Sequence, residues 1–543
     1  MKLIWKEIEK DRGDWTRKGY SLPSYDRAAM IEKTAAAPAW VHFGAGNIFR
    51  AFHADIAEQM LESGEADRGL IAIEGFDYEI ISSMFRPHDN LSLAVTLKAD
   101  GKLEKKVLGS IAESCILDSA DTAEYAHLKE IFESPSLQMA TFTITEKGYA
   151  TAGPDGGLLP AIASDFAAGP EGASSYLGKV VSLLYARYKK GGLPLAMVST
   201  DNCSHNGDKL FAAVDAFARA WTEKGLAEPG FLTYVEDSGC VSFPWTMIDK
   251  ITPRPDDSVR ELLQKDGVED LSNIETGKHT FVAPFVNAEE TGYLVIEDSF
   301  PNGRPALEKA GVIFTDRETV DRVETMKVTT CLNPLHTALA VFGCLLGYTK
   351  ISEEMKDPDL SALVHRIGYT EGLPVVTDPV IIRPRDFIDT VVNVRIPNPF
   401  MPDTPQRIAT DTSQKLPVRY GQTIKKYMER GLDMDILQAI PLVFAGWLRY
   451  VMAADDEGEA FVPSPDPLLA EMEEKLSAIR LGEQDEEKVR EVLLPILQNE
   501  SIFGTDLVKA GLSDRVISDF MKLIAGHGAV RKTLHEVTEE WKA

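Results

Sequence analysis

Cysteine is scarce in this 543-residue sequence: Cys115, Cys203, Cys240, Cys331 and Cys344 are the only five, with no CxxC and no paired spacing. That excludes a disulfide framework and leaves no structural zinc site legible. The ten histidines form no recognisable ligand cluster with them, so no metal is expected. The thiols read as reduced and the chain as cytoplasmic. Basic runs are also missing. Lys and Arg total 57 against 84 Asp and Glu, a formal charge of -27, and that field repels phosphate backbones and anionic lipid. Neither nucleic acid nor a membrane surface is an expected partner. The opening "MKLIWKEIEKDRGDWTRKGY" lacks an apolar core, and Arg449 interrupts the most apolar later stretch, 440–454. Neither an export signal nor a membrane span is expected. Internal repeats and low-complexity tracts are absent.

What is present is a globular composition, 44% hydrophobic and 26% charged, in a chain too long for one hydrophobic core. Four apolar runs of strand length recur in the first half: "WVHF" from 40, "GLIAIEGF", "LQMATFTITEKGY" and "GLPLAMVSTDN". Helical stretches separate them, and polar residues stand where each run stops. This is the pattern of a parallel α/β sheet with its site at the carboxyl edge. From about residue 315 helical periodicities dominate. The punctuation "PNGRP" places a domain boundary at 301–305, giving an arm over 1–37, a Rossmann-like domain over 38–305 and a mainly helical domain over 306–543.

Four constellations carry chemistry. In "VHFGAGNIFRAFH", Gly44 and Gly46 follow a strand and open a helix, where a dinucleotide pyrophosphate can approach main-chain amides; Phe49 stands where the usual third glycine would be. Asn47, Ile48, Phe49 and Arg50 complete that turn and, with Thr145 and Glu146 further on, are expected at the cofactor. Glu74 and Asp77 follow the second strand as acids for a ribose diol, with Glu79 behind them, and an acid there favours NAD over NADP. The bland alternative is a plain strand-to-helix turn with solvated acids. In "TEKGY" and "STDNCSHNG", Thr145 and Glu146 sit at one strand end and Asn202 at another, a neutral donor for a carbonyl oxygen or simply a turn residue. In "KVTTCLNPLH", Lys327, Asn333 and His336 enter an apolar helix. Either a desolvated Lys327 exchanges protons with a reacting alcohol, or it snorkels to solvent while Asn333 caps the helix. In "QRIATDTSQKLPVRY", Arg407 and Lys415 either anchor a polyhydroxylated or carboxylated substrate or solvate a helix approach.

Taken in order, "HFGAGNIFRAFH", "TITEKGY", "STDNCSHNG", "FPWTMIDKITP", "IEDSFPNGRP", "MKVTTCLNPLHTALA" and "RIATDTSQKLP" resemble the polyol-specific long-chain dehydrogenases over roughly residues 38–530. The resemblance implies a Rossmann-like NAD domain, a mostly helical C-terminal domain and a zinc-independent site between them. It implies Lys327 as general acid and base, Asn202 and Asn333 as the pair that holds the alkoxide, and His336, Arg407, Lys415 and Asp249 as substrate contacts. Glu324 matches a glutamate that passes the proton to solvent. The implied reaction is hydride transfer at C2 of a hexuronate ketose, fructuronate and mannonate first, with tagaturonate/altronate and mannitol/fructose as alternatives. A catalytically silent NAD- and sugar-acid-binding protein is the non-enzyme alternative. A monomer or small homo-oligomer is expected.

One departure bears on Lys327. The family spacing is K-x4-N-x2-H, whereas this sequence has K-x5-N-x2-H, and one extra residue turns a regular helix by ~100°. A bulge or break before Pro334 would be needed to take it up. The segment 256–291 resembles an insertion.

Overall fold

The computed structural model describes residues 1–542, which divide into two units. The first comprises residues 1–98 and 102–321, the second 99–101 with the chain from 322 onward. The first unit is built on a six-stranded, all-parallel sheet. Its strands run in the order Ile111–Ile116, Leu70–Glu74, Trp40–Phe43, Met139–Phe142, Leu195–Ser199 and Val241–Ser242. Side chains alternate between two cores, as strand geometry requires. Val41, Phe43, Ile71, Ile73, Ala140, Phe142, Leu195 and Met197 face one; Trp40, Leu70, Ala72, Met139, Ala196 and Val198 face the other. Helices Thr122–Glu133, Tyr176–Lys189 and Asn206–Glu223 cover the first face. The apolar runs were therefore continuous because both faces are buried.

From Trp40–Phe43 the chain builds outward to Leu70–Glu74 and Ile111–Ile116, then returns to Met139–Phe142 on the other flank. The strand order reverses there, and such a reversal opens a crevice at the carboxyl edge. Gly44 and Thr143 occupy it.

The arm and the insertion both belong to this unit and brace each other. The Met1 amino group donates to the Gly267 carbonyl (2.7 Å) and Tyr20 Oη to Asp266 (2.9 Å). Residues 256–291 hold helix Asp257–Lys265, a hairpin of Ile274–Glu275 with Phe281–Val282, and strand Phe285–Glu289, which pairs in parallel with Ser92–Leu97. The first unit also runs past 301–305, because strand Ile313–Thr315 returns to pair with Tyr293–Glu297.

The second unit is mainly helical. Asn333–Leu345 and Ala439–Tyr450 are apolar on almost every side and buried on almost every side. Arg449 lies inside this core and donates to the carbonyls of Ala454 (2.6 Å) and Asp455 (2.7 Å). Glu371 accepts from the main-chain N–H groups of Gln438, Ala439 and Ile440, which satisfies the N-terminus of Ala439–Tyr450. One helical stretch, 317–345, is long and apolar enough to cross a membrane by length and composition; 83% of its most apolar window is buried inside the protein. Single π-helical turns interrupt the helices at Phe49–His53, Lys327–Cys331 and Pro417–Gly421, beside three of the motifs above.

Candidate active site

The first unit carries a cleft of about 610 Å³ at the sheet's reversal, lined among others by Gly44, Gly46, Glu74, Asp77, Thr143 and Thr145. The two glycines serve different needs. Gly44 has φ +103°, and a Cβ there would stand 2.2 Å from the Thr143 carbonyl oxygen, so backbone geometry and close strand approach both require glycine. A Cβ at Gly46 would meet nothing within 4 Å; protein packing does not demand glycine there, and open cleft does. These features fit a dinucleotide, with Gly44 and Gly46 giving the pyrophosphate access to the main chain.

Glu74, the last residue of its strand, is buried. It accepts from the N–H groups of Ala45 (2.8 Å), Phe76 (2.8 Å) and Asp77 (3.0 Å). Burial raises its pKa despite these donors. It braces the turn, and a ribose hydroxyl would share it with three amides. Asp77 accepts from Thr276 Oγ1 (2.5 Å), and Glu79 from the Gly277 N–H (2.9 Å), so the inserted hairpin backs both acids. Thr280 of that hairpin lines the cleft, as does Phe76, which is 61% exposed.

Two residues assigned to the cofactor turn inward instead. Phe49 is fully buried and stacks on His42 at 4.4 Å. Arg50, also fully buried, donates to the Ala283 carbonyl (2.6 Å) and to Asn47 Oδ1 (2.8 Å), and burial lowers its pKa to about 9. The π turn that starts at Phe49 carries both side chains into the sheet's second core, so they shape the turn rather than wall the cleft. Asn47 Oδ1 is taken by Arg50. Ile48 is partly exposed beside them. Glu146 is exposed and pairs with Lys209 at 2.6 Å, while its neighbour Lys147 reaches the cleft wall.

Thr145 lines the cleft with φ +65° and ψ 157°, a region that a β-branched residue avoids. Its N–H and that of Ile144 donate to the two oxygens of Asp201, at 2.9 and 3.0 Å. Asn202 follows directly and is exposed. Asn206 anchors that loop, donating to the Asp201 carbonyl (3.0 Å) and to Thr246 Oγ1 (2.8 Å). Asp249 ends strand Thr246–Asp249 and is buried.

In the second unit, Lys327 is only 4% exposed, which removes the snorkelling alternative. It begins the π turn Lys327–Cys331, closed by the Leu332 N–H on the Lys327 carbonyl (3.1 Å). A π turn holds one residue more than an α turn, so the extra residue before Asn333 is taken up there. Glu324 lies three residues ahead on helix Arg317–Met326 and is partly exposed. Asn333 opens helix Asn333–Leu345 but does not cap it. Its carboxamide makes no hydrogen bond among the described residues, which leaves it available to a ligand. His336 follows one turn later and is partly exposed.

Lys415 and Arg407 belong to a cationic cluster with Arg419, which sequence reasoning missed although it lies four residues after Lys415. Lys415 Nζ donates to the carbonyls of Ile408 (2.9 Å) and Thr410. Burial, then the charge of Arg419, lowers its pKa to about 8. Arg419 donates to Thr337 Oγ1 and to the Asn333 carbonyl (3.4 Å), and its own pKa is lowered to about 10 by burial. Arg407 is exposed and paired with Asp403. Ser413 ties the segment down through its N–H (2.8 Å) and Oγ (2.5 Å) to Asp466.

One potential metal-binding group emerges among the described residues that spacing could not show: Glu113, Cys115 and His127 come together, with His127 Nε2 2.7 Å from Glu113 Oε1. None of the three lines the cleft.

Comparison with known proteins matches residues 38–309 to the Mannitol dehydrogenase Rossmann domain and residues 319–524 to the Mannitol dehydrogenase C-terminal domain. The D-mannonate oxidoreductase of Thermotoga maritima is 50% identical over 535 residues, 98% of each chain. The D-mannonate oxidoreductase of Escherichia coli is 28% identical, over 83% of this chain and 86% of that one. Among solved structures, Pseudomonas fluorescens mannitol 2-dehydrogenase in ternary complex with NAD and D-mannitol is 26% identical with a TM-score of 0.67, covering 99% of this chain and 100% of that one. A substrate-free D-sorbitol dehydrogenase is 25% identical with a TM-score of 0.75, covering 94% and 97%.

Proposed function

This chain belongs to the mannitol dehydrogenase family, and from that premise we propose that it is an NAD-dependent oxidoreductase interconverting D-fructuronate and D-mannonate at C2. The observation that carries the reading is the 50% identity with a D-mannonate oxidoreductase along 98% of both chains. The cluster of Arg407, Lys415 and Arg419 supports it, since a hexuronate brings a carboxylate that a neutral polyol lacks.

Gly44, Gly46 and Thr145, with Asp77 and Glu74 on the ribose side, would hold the nicotinamide cofactor, which would supply or accept the hydride. The chain's own residues do the rest. In the reductive direction Lys327 gives a proton to the C2 oxygen, and Glu324 passes protons between the lysine and solvent. Lys327 is buried and so held away from bulk water. Asn202 and Asn333 donate to the oxygen while it carries negative charge; a donor aimed there contributes roughly 10²–10³-fold in rate. His336 and Asp249 orient hydroxyl groups, and Arg407 and Lys415 take the carboxylate.

The test follows the near-ultraviolet absorbance of NADH with purified protein and fructuronate, tagaturonate and fructose in turn, with NADPH in parallel. Turnover of fructuronate with NADH, and much weaker turnover of the others, is expected. Preference for tagaturonate or fructose would reassign the substrate, and binding of NADH without turnover of any of the three would leave a silent binding protein.

A further inference from the structure

We propose that Asp201 is a positioning residue whose carboxylate holds the cofactor-side loop at Thr145 in a conformation it would not otherwise keep, and fixes that loop against the chain that presents Asn202. The proposal rests on the reading that this cleft binds NAD. Thr145 lies at φ +65°, ψ 157°, a region populated almost solely by glycine, because a Cβ there crowds the flanking main chain. A β-branched residue persists in it only where the surroundings over-determine the backbone. The Gly148 N–H donates to the Thr145 carbonyl at 2.9 Å, and the side-chain part of those surroundings is Asp201. Asp201 Oδ1 accepts from the Thr145 N–H at 2.9 Å, and Oδ2 accepts from the Ile144 N–H at 3.0 Å and from Tyr149 Oη at 2.5 Å.

The main chain of Asp201 is fixed independently. Its carbonyl accepts from Asn206 Nδ2 at 3.0 Å, and Asn206 is itself held by Thr246. Asp201 follows strand Leu195–Ser199, and Thr145 follows the neighbouring parallel strand Met139–Phe142. One residue therefore pins two strand ends together, one lining the cofactor cleft and the other leading into Asn202. Asp201 touches neither cofactor nor substrate in this scheme. It sets where the loops that do so stand.

The test measures NADH affinity by the change in NADH fluorescence on binding, which needs no sugar substrate, and then kcat and KM with fructuronate. Asp201→Asn replaces one acceptor oxygen by an NH₂ that opposes a main-chain N–H, and should weaken NADH binding at least tenfold. In that background Thr145→Gly should recover fivefold or more, because glycine adopts this conformation without the clamp, whereas Thr145→Ala should recover nothing. Asp201→Glu, which keeps the charge, is the milder companion in case Asp201→Asn melts below the assay temperature, and the same glycine-only recovery is required of it. Unchanged NADH affinity in both Asp201 variants would overturn the proposal, and so would a glycine that rescues no better than alanine. If the wild type binds NADH but reduces no uronate, the substrate reading fails alone and the clamp is still tested by binding.

Discussion

The N–H of Leu332 donates to the carbonyl of Lys327, five residues back, at 3.1 Å. That bond defines a π turn, which holds one residue more than an α turn between Lys327 and Asn333. Lys327 is thus delivered to a buried position by a local irregularity, where a regular helix would have rotated it by ~100°. Lys327→Ala should lower kcat with fructuronate by about 10²–10⁴-fold, the usual contribution of a positioned acid and base, and leave NADH affinity within about twofold. Stopped-flow NADH oxidation and a parallel binding titration check this. A variant that keeps kcat would assign the proton to another group.

Lys415 titrates where enzymes are assayed. Its pKa is lowered to about 8 by burial and by Arg419, so its ammonium is present below that pH and lost above it. If the ammonium binds the substrate carboxylate, KM for fructuronate should rise as pH passes 8. Lys415→Arg should move that rise beyond the accessible range, since a guanidinium stays charged. Lys415→Met should raise KM about tenfold or more at pH 7 and remove the dependence. KM profiles from pH 6.5 to 9.5 for the three proteins decide it, and identical slopes would place the carboxylate elsewhere.

Much of this was legible in the residues. Both-face burial made the strands ending at Phe43, Glu74, Phe142 and Ser199 stand out as uninterrupted apolar runs, and Gly44 and Gly46 marked the turn between strand and helix. The inward direction of the Phe49 and Arg50 side chains was not legible, because adjacency to a glycine turn says nothing about which way a side chain points once a π turn intervenes. Asp201 was invisible for a different reason. Its neighbour Asn202 carried the recognisable chemistry, while its partners Ile144, Thr145 and Tyr149 lie more than fifty residues away in sequence. Arg419 sat in plain view, but a cation after "KLPV" has no signature until the fold sets it against Thr337. The segment 256–291 read only as an insertion; contacts from Thr276 and Gly277 to the acids after Glu74, and Thr280 in the cleft lining, make its hairpin part of the cleft.

Glu354 sets a pH limit on stability. Its carboxyl is fully buried with neither oxygen hydrogen-bonded, and burial raises its pKa to about 9. The folded state therefore binds a proton that the unfolded state releases near its ordinary value of 4.5. The stabilisation is complete below that value, declines as pH rises through the interval, and is gone above about 9. Glu354→Gln, neutral at every pH, should raise Tm by roughly 3–8 °C at pH 8, corresponding to on the order of 1–3 kcal/mol, and by little at pH 4.5. Calorimetry at the two pH values checks the sign. A larger gain at pH 4.5 would contradict it.

The two glycines of the cofactor turn should separate stability from binding. At Gly44, φ +103° and a Cβ 2.2 Å from the Thr143 carbonyl leave an alanine no strain-free position, so Gly44→Ala should cost about 3 kcal/mol or more and lower the yield of folded protein. At Gly46 a Cβ meets no protein atom within 4 Å, and Gly46→Ala should leave Tm within about 2 °C. If that space is where the pyrophosphate approaches the main chain, the same methyl should weaken NADH binding about tenfold or more. Thermal melts and NADH titrations on both variants test the pair. A Gly46→Ala protein that melts normally and binds NADH as tightly as the wild type would move the pyrophosphate away from this turn.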